Sequence, residues 1–173
     1  MSSILISFIG PDRPGLLADV SHMLSEKGGN ISDTTLAVLG GDAELTMIYD
    51  LPKGLSLADI EAELKKNPKL STGELSVKPH ERKVAPGPSS RITHRIILAG
   101  KDQKGLLAEL TKVMNDHGAN IVRMNSETIR GAEGDQYIAR FAVSLREEKA
   151  PSCLAGIVTI AGKLKLTFRY ETA

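Results

Sequence analysis

Aromatic residues are scarce in this chain: three tyrosines, three phenylalanines and no tryptophan among 173 residues. An excess of either charge is lacking too, since 22 lysines and arginines face 21 acids for a net charge of +1. A nucleic-acid binder needs basic excess to neutralise phosphates and commonly stacks bases on aromatic rings, so direct nucleic-acid binding is not expected. The lone cysteine, Cys153, excludes an intrachain disulfide and fits a reducing, cytoplasmic setting. No apolar run is long enough for a membrane span. The opening MSSILISFIGPDRP reads as a strand rather than a leader, because no basic segment precedes its short apolar run.

Signatures of catalysis and of metal binding are missing as well. There is no Rossmann glycine pattern and no nucleophile elbow. The stretch GKDQKGL has two glycines at phosphate-loop spacing, but Leu106 stands where a phosphate-binding lysine should follow. The histidines, His22, His80, His94 and His117, share no metal-ligand spacing with one another or with Cys153. No catalytic residue, metal or cofactor is therefore assigned, and the chain reads as non-enzymatic. His22 and His117 are expected at the surface, and Cys153 as a small core residue.

What is present is a repeat. GPDRPGLLADVSHMLSEKGGNI, Gly10 to Ile31, returns ninety positions later as GKDQKGLLAELTKVMNDHGANI, with nine identities in 22 gapless positions. That density indicates duplication. Each copy reads β-α-β-β-α-β. In the first, the apolar run Ile4 to Ile9 is a strand, Asp12 is expected to cap a helix, and Pro14 to lie in its first turn. Leu16, Leu17, Val20, Met23 and Leu24 make one apolar helical face, and Gly28-Gly29 stops the helix. Ile31 to Leu39 and Glu44 to Leu51 are strands joined at Gly40-Gly41-Asp42. Ser56 caps a second helix, and Glu74 to Lys78 is the fourth strand.

In the second copy, strands are expected at Thr93 to Ala99, Ile121 to Arg130, Tyr137 to Leu145 and Leu164 to Glu171. A helix carries Leu106 to Met114, and a weaker one runs from about Pro151 to Gly162. The fold class is α+β: two ferredoxin-like βαββαβ domains, each a four-stranded antiparallel sheet with two helices on one face. Domain one is placed at 1–82, a linker at 83–90 and domain two at 91–173. Seven basic residues against two acids from Lys78 to Lys104 read either as a solvated strip or as a dock for an acidic partner. Leu5 and Ile9 face away from Ile4, Ile6 and Phe8. That second apolar side fits either sheet docking or a central strand flanked by long polar side chains.

The turn at the start of the repeated helix has two readings. A glycine in a helical first turn costs about 1 kcal/mol against alanine. Gly15 and Gly105 therefore serve either close packing of the loop or unhindered access of a small anion to the helix-start amides.

PDRPGLLADVS followed by GGNISDTTLAVLGG resembles the ACT domain, a small regulatory module that commonly binds amino acids. The tandem arrangement resembles the glycine cleavage system transcriptional repressor family, over nearly the whole chain. The resemblance implies a regulator that binds a small amino acid, with glycine a candidate, where two ACT domains meet and acts through a protein partner, such as a DNA-binding regulator. The second apolar sheet side leads to the expectation of a homodimer, with pairing of the units within one chain or across chains left open. Carried over, Gly15 and Leu16 would offer amides to the ligand carboxylate, and Asn30 and Ile31 would present oxygen to its ammonium. Asp12, Arg13 and Pro14 complete the first loop. Asp102, Gly105 and Leu106, with Asn120 and Ile121, form the second set. Each residue also has a structural reading: Asp12 and Asp102 as helix caps, Asn30 and Asn120 as turn residues, Arg13 as a surface charge. Because Gln103 and Lys104 replace Arg13 and Pro14, the first copy is expected to be the better site. The alternative function is a ligand-free dimerisation scaffold.

Overall fold

The computed structural model describes residues 2–81, 90–132 and 134–173. The expected linker lies almost wholly outside the described residues, as does part of the basic strip. The chain divides into two compact units, Met1–Lys83 and Val84–Ala173.

The first unit runs β1 (Ser3–Pro11), α1 (Leu16–Glu26), β2 (Asn30–Leu39), β3 (Asp42–Asp50), α2 (Leu57–Leu64) and β4 (Glu74–His80). Its strands pair antiparallel in the order β2-β3-β1-β4. This is the ferredoxin-like arrangement that the element order predicts. Alternation along the two central strands makes the core. Ile4, Ile6 and Phe8 of β1 and Leu45, Met47 and Tyr49 of β3 point one way and are buried with Leu16, Val20 and Leu24 of α1 and Ile60 and Leu64 of α2. On the opposite side, Leu5 lies between Ile48 and Lys78, and Ile9 between Glu44 and Glu74. Long polar neighbours thus flank Ile9 alone, which still stays 51% exposed, whereas Leu5 has a lysine on one side and the apolar Ile48 on the other.

The second unit repeats the plan with β5 (His94–Lys101), α3 (Leu106–Asp116), β6 (Asn120–Ile129), β7 (Gln136–Ser144), α4 (Ala150–Lys163) and β8 (Thr167–Thr172), in the sheet order β6-β7-β5-β8. Cys153 is buried in its core, and burial pushes its thiol pKa up, as a packing role requires.

Several local expectations need correction. The weaker helix is, at 14 residues, the longest one described. It takes Leu164 and Leu166 away from the expected strand. Lys165 adopts a left-handed φ of 55°, the Leu166 amide donates to the Ala161 carbonyl, and the Lys165 amide to that of Gly162. These bonds form a Schellman cap, so β8 starts only at Thr167. His117 is half-buried, with a ring nitrogen 2.9 Å from the Val113 carbonyl oxygen, whereas His22 is exposed as expected. Ser56 does cap α2: its hydroxyl accepts from the Asp59 amide while the Asp59 carboxylate accepts from the Ser56 amide and hydroxyl. Those bonds hold the Asp59 carboxyl below its ordinary pKa.

The two copies of the first helix end differently. After α3, the Ala119 amide donates to the Met114 carbonyl at 2.9 Å, closing a direct Schellman cap. After α1, the Tyr49 hydroxyl is inserted into the matching bond. It accepts from the Gly29 amide and donates to the Leu24 carbonyl, each at 2.9 Å. A Cβ on Gly29 would run into the Tyr49 ring and hydroxyl. In the second unit, Val143 takes the place of Tyr49, and Ala119 is accommodated.

Two outcomes follow for stability. Gly29→Ala should cost more than 2 kcal/mol in urea denaturation, as expected for overpacking, and much less in a Tyr49→Val background. Tyr49→Phe should cost about 1–3 kcal/mol by stranding a buried amide and carbonyl. Burial raises the Tyr49 pKa above the ordinary tyrosine value of 10.0. Its stabilising contribution is therefore complete below pH 10 and lost as pH rises through the folded-state pKa, a dependence that Tyr49→Phe should remove.

Candidate functional site

The site expectation centres on the turn between β1 and α1. Asp12 does not cap the helix. Its amide donates to the Gly41 carbonyl at 2.9 Å, which ties the turn to the β2–β3 hairpin. The N-cap is Gly15, with φ 79° and no side-chain cap, and Pro14 lies before the helix rather than in its first turn. Gly105 repeats this in the second unit, with φ 81°, and Asp102 donates its amide to the Asp135 carbonyl. The glycines are therefore required by a left-handed backbone, which an L side chain enters at a cost of about 1–2 kcal/mol. Neither close packing nor ligand access is needed to explain them.

That geometry determines which amides stay available. The Leu16 amide turns back to the Arg13 carbonyl at 3.1 Å, and the Asp19 amide bonds the Gly15 carbonyl at 2.9 Å. Leu16 is thus engaged, contrary to the role carried over for it. Leu106 is engaged likewise, by the Gln103 carbonyl at 3.3 Å. The second and third helical positions, Leu17 and Ala18 with their counterparts Leu107 and Ala108, have no acceptor recorded among the described residues. An anion at the turn would meet these amides. Beside them Leu17 and Leu107 are exposed, at 36% and 40%.

The surroundings of the two turns differ. In the first, the Lys69 ammonium sits over Gly15, donating to the Pro14 carbonyl at 3.0 Å and pairing with the Asp19 carboxylate at 2.7 Å. A Cβ on Gly15 would lie 3.1 Å from that nitrogen. Arg13 is held by the Thr72 hydroxyl at 3.1 Å. In the second, the Gln103 side-chain amide donates to the Leu164 carbonyl at 2.8 Å, and a Cβ on Gly105 would meet nothing within 4 Å. Gln103 thus tethers the second loop, although the proline is gone. The first turn is the more crowded of the two.

The remaining predicted residues lie elsewhere. Asn30 opens β2 opposite Asp50, which pairs in turn with Ser3 at the start of β1. Gly15 follows the far end of β1, where Pro11 pairs with Asp42. The 11 residues of α1 separate the two ends by about 16 Å. Asn30 and Ile31 therefore do not converge with Gly15 within a unit, and Asn120 and Ile121 stand in the same relation to Gly105. Asn120 and Ile121 instead line a concavity of about 480 Å³ along α3, together with Ala108 and Thr111. Sequence spacing concealed this separation, because a helix returns the chain to the opposite end of the sheet.

Models described as the ACT domain match residues 2–77 and again residues 94–150. The chain belongs to the ACT-domain family and carries two ACT domains. Among curated proteins, a UPF0237 protein of Methanopyrus kandleri is 34% identical over 67 residues, which is 38% of this chain and 74% of that protein. A UPF0237 protein of Methanocaldococcus jannaschii is 31% identical over the same shares. Among solved structures, a protein of unknown function from Galdieria sulphuraria superposes with a TM-score of 0.81 at 20% identity, covering 99% of this chain and 98% of that one. A candidate glycine cleavage system transcriptional repressor superposes with a TM-score of 0.68 at 15% identity, covering 99% and 97%. At such identities the likeness to both structures is one of fold.

Gly15→Ala and Gly105→Ala should each lower the stability of the full chain by about 1–2 kcal/mol in urea denaturation, the cost of a left-handed alanine. A neutral or stabilising result would contradict the backbone requirement.

Proposed function

We propose that this chain is a non-catalytic regulatory protein that binds a small amino acid, with glycine the first candidate, and relays that state to a protein partner as a homodimer. The observation that carries the reading is the repeated helix start. Each ACT domain opens its first helix with a left-handed glycine and leaves two successive amides without an acceptor among the described residues, suited to a carboxylate. The amine end of the ligand needs an oxygen-bearing partner. Asn30, Ile31, Asn120 and Ile121 supply one only from another ACT domain, and a second copy of the chain provides it. Cover over the exposed Leu17 and Leu107 would close such a site. The choice of glycine and of a DNA-binding partner rests on the name of one structural neighbour, and the chain's near-neutral charge argues that it would not grip DNA itself.

One observation favours the alternative, a ligand-free scaffold: the Asp19 carboxylate, paired with Lys69 at 2.7 Å, already places a negative charge in the first turn of the helix. Thermal unfolding of the full chain in each of the twenty amino acids separates the two. A ligand at a hundred times its dissociation constant should add about 2.7 kcal/mol of stability. A clear rise in Tm with one or a few small amino acids is expected. No shift with any of them would leave the scaffold.

A further inference from the structure

The two domains depart from one another on the sheet face turned away from the helices. In the second domain, Ile97 of β5 pairs with Arg140 of β7 on one side and Arg169 of β8 on the other. In the adjacent outward row, Ala142 of β7 lies between Arg95 of β5 and Arg123 of β6. Each row is thus a low apolar floor with an arginine on both flanks. Strands lie about 4.8 Å apart, so flanking arginines are rooted about 10 Å from each other. Their side chains rise around a concavity of about 470 Å³, whose lining includes all four arginines, Ile97 and Ala142.

We propose that this concavity binds a small organic polyanion, one with at least two phosphate or carboxylate groups carried on a compact body. Its volume falls in the range of metabolite sites. Guanidinium groups match phosphate and carboxylate oxygens in a bidentate fork, which favours arginine over lysine in such a role. Two of the four are partly neutralised: Arg140 by Glu127 at 2.7 Å and Arg95 by Glu171 at 3.6 Å. Arg123 and Arg169 form no ion pair among the described residues, and both are exposed. They are the groups left to meet a ligand.

The first domain shows that the fold does not require this charge. There, Ser7 takes the place of Ile97 and pairs with Thr46 and Ser76 where the second domain has Arg140 and Arg169. None of the six outward strand positions that form the floor and flanks carries an aromatic side chain. The two rings that also line the concavity, Phe141 and Tyr170, both pair with Ile96 in an inward row. The outward positions thus offer no stacking platform of the kind a single-stranded nucleic-acid binder uses. A concave, arginine-walled surface whose outward floor carries no ring suits a small anion better than an oligonucleotide. The site is separate from the helix-start amides and does not depend on their binding an amino acid.

Isothermal titration calorimetry of the full chain at low ionic strength with pyrophosphate, citrate and ATP tests the proposal, and the three arms distinguish phosphate from carboxylate recognition. At least one should bind with a dissociation constant below a millimolar. Arg123→Gln combined with Arg169→Gln should weaken it at least tenfold, with Lys53→Gln as the unaffected control. Both substituted side chains are exposed, and an unchanged melting curve confirms that the variant folds. Absence of binding by all three anions would overturn the proposal. So would an affinity unchanged in the double variant, or tighter binding of a single-stranded oligonucleotide than of every small anion.

Discussion

The antiparallel pairing of β1 with β3 and β4, repeated by β5 with β7 and β8, is the constraint from which the other features follow. Each central strand sends alternate residues to opposite faces, so a single register decides both what is buried and what is displayed. The inward rows, Ile4-Ile6-Phe8 and Ile96-Leu98, seat the helices. The outward rows are released from packing and are free to diverge, and they have done so. The same pairing separates the helix start from the strand start by the length of a helix. Under the proposed function, one ACT domain alone would therefore present half of an amino-acid site.

Duplication followed by local compensation explains how the domains differ. Where the first has Gly29 and a bridging Tyr49 hydroxyl, the second has Ala119, Val143 and a direct backbone cap. A tyrosine reaching into a helix end needs a glycine beside it, so the tyrosine and an alanine at the neighbouring position exclude one another. At the helix-start turns, Lys69 reaches the first loop from the α2–β4 connection, whereas Gln103 reaches out of the second loop to Leu164 in the equivalent α4–β8 connection. The turn conformation itself survives both arrangements with φ values of 79° and 81°. That persistence argues that the left-handed start is the part of the turn under constraint.

The fold was legible because its signals are periodic and local. The apolar face of α1, the alternation of β1 and the glycine pair at Gly40-Gly41 each state their element directly, and the offset of ninety states the duplication. The site was less legible for physical reasons. Asp12 has the side chain of a good cap, but a cap requires the helix to begin beside it, and the turn delays the start to Gly15. Gly15 advertised a special backbone without revealing that φ, rather than crowding or access, was the cause. Leu164 and Leu166 alternate like a strand, yet belong to a helix cap that rests on the left-handed Lys165. The arginine-flanked concavity was invisible as well. Its residues come from four strands and converge only when register is known, and the near-neutral total charge hides a local excess.

The account's central claim is that the amides opening the first helix of each ACT domain receive the carboxylate of a free amino acid. Titrating glycine into the ¹⁵N-labelled full chain and following backbone amide resonances tests this most directly. The largest saturable shifts should fall on Leu17 and Ala18, on Leu107 and Ala108, or on both pairs, together with residues at the starts of β2 and β6. An absence of saturable shifts, or shifts confined to the outward arginine face of the second sheet, would contradict it.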